Sequence, residues 1–230
     1  MARKKTPSLK YESAFWRDGF VAVAGLDEVG RGALAGPVVA AAVILPPMTD
    51  SVARVWKKST HLRDIAAAND SKLLTERGRE KLFEPIRELA LGYGIGSASE
   101  VEIDALNILR ASHLAMYRAL DALDLMPDAL LLDALVLSDS ALPQQGIIHG
   151  DALALSIAAA SIIAKVTRDR LMCELDLQYP GYGFAQHKGY GTRAHLAALR
   201  ERGACAIHRR SYEPVRMTVD GGRTTVELFE

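Results

Sequence analysis

The sequence predicts an α/β fold with a mixed sheet flanked by helices, and three observations predict it. Two apolar runs rich in Val and Ala, Val21–Leu26 and Val38–Leu45, stand close together near the N-terminus. A third run, Asp128-Ala-Leu-Leu-Leu-Asp133-Ala-Leu-Val-Leu137, comes much later. Between and after these runs, apolar residues recur at helical spacing. Strands that come first and then alternate with helices build an α/β sheet, not a bundle or a sandwich.

Taken in order, residues 1–15 read as a loose, flexible tail. Strands follow at Val21–Leu26 and Val38–Leu45, separated by a Gly-rich turn and ended by Pro46-Pro47. Met48–Asn69 is polar and irregular and reads as a long surface excursion, and Asn69-Asp-Ser-Lys72 as a turn. Thr75 is a helix N-cap, and Pro85 kinks the helix that follows or delays its start. Leu91–Ala98 is a strand weakened by Gly92, Gly94 and Gly96. Ser99-x-x-Glu102 is a capping box, and Ile103, Leu106, Leu109, Leu114, Tyr117 and Leu120 continue one helix until Pro127 stops it. The Asp128–Leu137 strand carries one internal acid. Gly146–His149 is a short strand, and Gly150-Asp151 opens an Ala-rich helix running to Gln178. Beyond Pro180 the chain reads as loop, a helix near Arg193–Glu201, and a tail in which Met217–Leu228 forms a hairpin around Asp220-Gly-Gly222.

Composition limits the function classes. The 230 residues are 49% hydrophobic and 24% charged, with zero formal net charge, so an affinity for nucleic acid must arise locally. Such a region exists. Ala160–Arg216 holds ten of the 28 basic residues but five of the 28 acidic ones, which suits an anionic polymer, although a solvated helix face gives the same count. Cys173 and Cys205, the only cysteines, lie far apart, as expected of a reducing cytoplasm without a disulfide framework. Met1-Ala-Arg-Lys-Lys is followed by polar Thr-Pro-Ser, so no secretory signal is expected. Ala152–Ala164 is too short to span a membrane. A cytoplasmic monomer without membrane attachment is expected.

Four acids carry the chemistry. Asp27 and Glu28 end a buried strand, just before Gly30-Arg31-Gly32. Neighbouring carboxylates there repel and call for a cation or solvent. Asp133 sits inside an apolar run, where an unpaired charge costs roughly several kcal/mol unless the strand ends at Leu132. Asp151 stands at a helix start, where a carboxylate also serves as a simple cap. Strand ends and helix starts are where an α/β sheet gathers its site residues. Four acids in one pocket need divalent cations, and hard oxygen ligands select Mg2+ or Mn2+. Two such ions about 4 Å apart hold the attacking water and the leaving oxygen of a phosphodiester.

The chain resembles the ribonuclease HII family, the type 2 bacterial ribonuclease H, from about residue 21 to 215. The resemblance rests on Gly25-Leu-Asp-Glu-Val-Gly-Arg-Gly32, Asn69-Asp-Ser-Lys72, Glu102-Ile-Asp-Ala-Leu-Asn-Ile108 and Ser156-Ile-Ala-Ala-Ala-Ser-Ile-Ile-Ala-Lys-Val-Thr-Arg-Asp169. It continues through Tyr182-Gly-Phe-Ala-Gln-His-Lys-Gly-Tyr190 and His208-Arg-Arg-Ser-Tyr212. It implies a ribonuclease H-like catalytic domain over 16–180, a small helical, substrate-binding region over 181–215, and a tail over 216–230. It implies catalytic metal ligands at Asp27, Glu28, Asp133 and Asp151, holding two Mn2+ or Mg2+ ions during catalysis. The implied reaction is hydrolysis of RNA in RNA–DNA hybrids, and 5′ of ribonucleotides embedded in duplex DNA, leaving 3′-hydroxyl and 5′-phosphate ends. Gly30, Arg31, Gly32 and Tyr190 would sense the ribose-to-deoxyribose junction. Glycine backbone can approach a 2′-hydroxyl, and a tyrosine ring packs on the following sugar. Lys72 and Lys165 would contact phosphates.

Three departures stand out. His149 replaces the usual lysine before Gly150-Asp151, Ala134 replaces the usual glycine after Asp133, and Met48–Asn69 is longer than the usual loop. Two other readings compete with this one: a hybrid-binding protein whose acids merely cap elements, and a related two-metal nuclease that cuts all-DNA junctions. Thr225-Val-Glu-Leu-Phe229 resembles the peptide that docks bacterial proteins on the replication sliding clamp, although its leading glutamine is absent and an exposed hairpin strand explains it equally well.

Overall fold

The structure, a computed structural model, describes residues 6–47 and 74–221. Its chain divides into two compact units. The first holds the described residues up to Val29, of Val39–Ser97 and of His113–Val166. The second holds Gly30–Val38, Ala98–Ser112 and the chain from Thr167 onward. The sequence expectation of contiguous domains broken at 180/181 thus meets an interleaved division. The Met48–Asn69 excursion and the turn containing Lys72 lie outside the described residues.

The first unit is built on a sheet of β1 (Val23–Val29), β2 (Val38–Ile44), β3 (Gly92–Ala98), β4 (Ala129–Asp133) and β5 (Gln144–Ile147), in the order β3-β2-β1-β4-β5. β1 pairs antiparallel with β2 but parallel with β4, and β4 is parallel to β5, so the sheet is mixed as expected. Register decides where the acids go. The β1–β4 ladder pairs Leu26 with Leu132, so Asp27 and Asp133 come next, side by side where that ladder stops; Asp133 is the last residue of β4, whereas β1, expected to end before Asp27, runs on to Val29.

Helices cover this sheet. Ala41, Val43 and Leu45 pack with Leu82, Phe83 and Ile86 of α2 (Glu76–Leu89) and with the first half of a long helix. Thr75 caps α2 through a bond from Gly78 N–H, and Pro85 lies inside the helix without ending it. Gly94 and Gly96 are needed for packing: a Cβ on either would lie 2.0–2.2 Å from the carbonyls of Ala119 and Ala115 in the helix beyond.

The N-terminal tail expectation is corrected over residues 10–15. Lys10–Arg17 forms α1, whose Tyr11, Phe15 and Trp16 pack against Val23, Leu131 and Ile157. Glu12 is buried and accepts bonds from the Ser156 amide and hydroxyl, at 2.8 and 2.7 Å. Sequence polarity at Lys10 and Glu12 hid an amphipathic helix.

The single helix expected after the capping box is two, α3 (Glu100–Leu106) and α4 (Ile108–Asp121). Asn107 takes φ 74° between them, and its side chain accepts from Leu109 N–H to start the second. α5 (Leu155–Gln178) follows a short 3-10 turn at Gly150–Ala152. The second unit adds α6 (Phe184–His187) where a loop was expected, α7 (Arg193–Arg202) and α8 (Glu213–Gly221). The hairpin expectation is corrected over 217–221, which are helical. Pro214 sits in the first turn, where its missing N–H costs nothing, and Val215 is buried with Leu34 and Leu199. Residues 222–230 lie outside the description. Among the described residues no helix is long and apolar enough to cross a membrane.

Candidate active site

Asp27, Asp133 and Asp151 converge in the first unit, with one carboxylate oxygen of each within 4.8 Å of the others. Strand register brings the first two together. The third arrives because β5 pairs with β4 up to Asp133↔Ile147, and the turn after it carries Gly150-Asp151 back. Gly150 N–H donates to Asp133 Oδ1 at 2.7 Å, fixing that carboxylate. The Glu28 amide donates to Asp27 Oδ1 at 2.8 Å, and Ser161 of α5 also bonds Asp27. Ser161 was not singled out from sequence. Its position on an Ala-rich face beside the acids was the available signal.

Glu28 stands outside this three-acid group. Successive strand residues point to opposite faces, so the residue after Asp27 faces away from it, although its charge still acts on Asp27. Asp27 is buried and its carboxyl is pushed well above its ordinary range. Burial is the main cause, followed by the charges of Glu28, Asp133 and Asp151, while the Ser161 bond opposes them. Crowded carboxylate oxygens that repel one another fit a hard divalent cation.

The two left-handed residues beside this group are the sequence departures. Ala134 has φ 54° and His149 φ 60°, and His149 is exposed. The Ala134 turn therefore keeps a conformation that glycine would adopt without strain. Lys165 is half-buried on α5 in the same unit.

The second unit holds the glycine segment. Gly30 has φ 95°, and a Cβ there would lie 2.2 Å from Arg168 Nε, so only glycine fits. Gly32 is exposed, and among the described residues nothing beyond its chain neighbours lies within 4 Å of where its Cβ would be. The fold requires the first glycine but not the second. Arg31 is exposed, and Tyr190 is half-buried with the Arg168 guanidinium 5.6 Å from its ring centroid. Ala33 bridges to Tyr190, and Leu34 N–H bonds the Gly189 carbonyl.

Two buried arginines hold this segment, and sequence reasoning missed both as structural residues. Arg168 donates to the carbonyls of Pro37, Lys188 and Ala35. Arg209 donates to the carbonyls of Gly36 and Arg31 and to the Tyr212 hydroxyl. Burial pulls the Arg168 guanidinium down to about 10. Their partners are backbone carbonyls, which no sequence pattern displays.

A model of the family described as ribonuclease HII matches residues 24–215. The chain belongs to the ribonuclease HII family. It is 54% identical over 212 residues to a ribonuclease HII of Desulfitobacterium hafniense strain DSM 10664 / DCB-2, covering 92% of this chain and 76% of that one. It is 49% identical over 214 residues to one from Dehalococcoides mccartyi strain ATCC BAA-2266 / KCTC 15142 / 195, covering 93% and 96%. Among solved structures it resembles the ribonuclease H2 of Pyrococcus horikoshii OT3, with 28% identity, a TM-score of 0.66, and coverage of 87% of this chain and 98% of that one. It also resembles the ribonuclease HII solved in complex with PCNA from Archaeoglobus fulgidus, with 25% identity, a TM-score of 0.63, and coverage of 81% and 91%. As a ribonuclease HII this chain is an endoribonuclease, a hydrolase of RNA in RNA–DNA hybrids, and its mixed, helix-flanked sheet is ribonuclease H-like.

Proposed function

We propose that this ribonuclease HII is a divalent-metal-dependent endonuclease that also cuts 5′ of single ribonucleotides in duplex DNA, leaving 3′-hydroxyl and 5′-phosphate ends. The observation that carries the metal dependence is the convergence of Asp27, Asp133 and Asp151, with Asp27 driven toward its neutral form by burial first and by the neighbouring carboxylates second. These three acids, with Glu28 beside them, would hold the Mn2+ or Mg2+ ions. Such ions supply an activated water and stabilise the leaving oxygen. The chain's own work is positional. Gly150 N–H and Ser161 hold the Asp133 and Asp27 carboxylates in place.

Selection of the cut falls to Gly30, Arg31, Gly32 and Tyr190. The space over Gly32, open among the described residues, supports this reading, because it leaves room for a sugar bearing a 2′-hydroxyl. Arg31 and Lys165 would meet phosphates. Lys72, outside the described residues, is proposed for the same role.

The test is cleavage of a duplex carrying one embedded ribonucleotide, with Mg2+, Mn2+ or chelator. Chelator should abolish cutting. Asp133→Asn still accepts the Gly150 amide, so it should fold normally yet lose activity by about a thousandfold, about 4 kcal/mol of barrier. Undiminished cutting by that variant would remove the carboxylate site from the mechanism.

The Archaeoglobus relative solved with PCNA supports a sliding clamp as a partner, with Thr225–Phe229, outside the described residues, as the docking segment. Clamp affinity that survives deletion of Thr225–Glu230, measured by titration, counts against that segment.

A further inference from the structure

A relay of hydrogen bonds in the second unit runs through two buried histidines to the backbone of Tyr190. Cys205 N–H donates to His208 Nδ1 at 3.0 Å. His208 Nε2 lies 3.1 Å from His195 Nε2, and His195 Nδ1 lies 3.0 Å from the Tyr190 carbonyl. The partners assign the protons. A carbonyl only accepts, so His195 carries its proton on Nδ1. A backbone amide only donates, so His208 Nδ1 is bare and its proton, on Nε2, points at the bare Nε2 of His195.

A third ring is fixed in the same way. His187 Nε2–H donates to the Tyr182 carbonyl at 2.7 Å, and Nδ1 accepts from Gly189 N–H at 3.2 Å. It stacks on His195 with centroids 4.3 Å apart, and Phe184 and Tyr182 close round the cluster. A second proton on His195 or His208 would set one N–H against another. Burial and the neighbouring imidazoles oppose that proton, holding His195 below its ordinary range and His208 down to about 4.

The relay ends on a strained turn. Lys188 and Gly189 both take left-handed conformations, φ 51° and 81°, immediately before Tyr190. Tyr190 N–H is held by the His187 carbonyl at 2.9 Å, and its own carbonyl accepts from Thr192 N–H at 2.8 Å as well as from His195. Both of its peptide groups are therefore pinned, one of them by a side chain.

We propose that His195, held by His208, is a positioning residue for Tyr190, fixing the ring that reads the sugar following the ribonucleotide. This rests on the junction-sensing reading of Tyr190 given above. None of the three histidines would touch substrate.

The experiment measures the ratio of kcat/KM for a duplex with one embedded ribonucleotide to that for a uniform hybrid. Chemistry at the acids affects both substrates, so it cancels in the ratio. His195→Gln places its amide where Nε2 stood and loses the Tyr190 bond; its ratio should fall about fivefold, the worth of one neutral hydrogen bond. His195→Asn places an amide donor where Nδ1–H stood and should rescue the ratio. An unchanged ratio in His195→Gln, or an equal fall in both variants, overturns the positioning role. Tyr190→Ala should lower the ratio at least as far as His195→Gln does. If Tyr190→Ala leaves the ratio unchanged, the junction reading fails instead, and the two failures are distinct. Nitrogen-15 spectra of the unaltered protein at neutral pH give a check that needs no variant. Protons on His195 Nδ1 and His208 Nε2 support the relay, and the opposite tautomers overturn it.

Discussion

The two units treat buried charge in opposite ways. The second buries two guanidiniums, Arg168 and Arg209, and bonds all three nitrogens of each, mostly to carbonyls of the Gly30–Val38 segment. The first buries Asp27 among crowded carboxylates, and burial first, their charges second, push it toward its neutral form. Backbone conformation follows the same division. The second unit meets left-handed turns largely with glycine, as at Gly30, Gly36 and Gly189, whereas the turns beside the acids use Ala134 and His149. Bonded guanidiniums build a frame, and crowded carboxylates and strained turns mark where chemistry awaits a cation and a substrate.

The largest effect should come from the frame. Arg168→Met fills a similar volume but strands the buried carbonyls of Ala35, Pro37 and Lys188. We expect a loss of about 3–5 kcal/mol, read by denaturant unfolding. A loss below about 1 kcal/mol would mean that the glycine segment holds its shape without the arginine, and the contrast between the units would collapse.

That contrast was half legible in the sequence. Asp27 and Asp133 stood out because acids are conspicuous in apolar runs, and the Leu26↔Leu132 register then made them neighbours. Asp151 was visible as a helix-start acid. Arg168 and Arg209 read as part of a basic stretch, because a side chain bonded to backbone leaves no partner residue to find. Glu12 was hidden for the same reason: its partner, the Ser156 amide, lies 144 positions away. Local rules did hold where the cause was local, as with the Ser99/Glu102 capping box and the Thr75 cap. The break at Asn107 lay inside a good helical period, which a single side chain bonding its own backbone interrupted.

The acid site should respond with the opposite sign. Asp27 has a raised folded-state pKa, so the fold binds its proton more tightly than the unfolded chain does. The stability this contributes is present below its ordinary value near 3.8 and is lost as pH rises through the raised one. In chelator, Tm should therefore fall with increasing pH across that window, and added Mg2+ or Mn2+ should restore it at neutral pH. Asp27→Asn, which cannot ionise, should gain about 1–2 kcal/mol in chelator at neutral pH, flatten the profile and lose cleavage. A variant less stable than the parent under those conditions would show that the carboxylates are already compensated, like the arginines.

The smallest effect isolates strain from charge. Ala134 ends β4 at φ 54°, directly after Asp133, with its side chain exposed and its N–H bonded to the Ile147 carbonyl at 2.9 Å. A left-handed alanine costs about 1–2 kcal/mol that glycine would not incur. Glycine gives back about 0.4–1 kcal/mol through the greater freedom of the unfolded chain. Little is lost by removing an exposed methyl, so Ala134→Gly should gain roughly 0.5 kcal/mol, a rise in Tm of about 1–2 °C for a chain this long. Calorimetry of the metal-free protein reads it without interference from the acids' ligand. A fall in Tm would mean that the turn is relaxed with alanine in place, leaving charge alone to set the acid-bearing unit apart from its arginine-pinned counterpart.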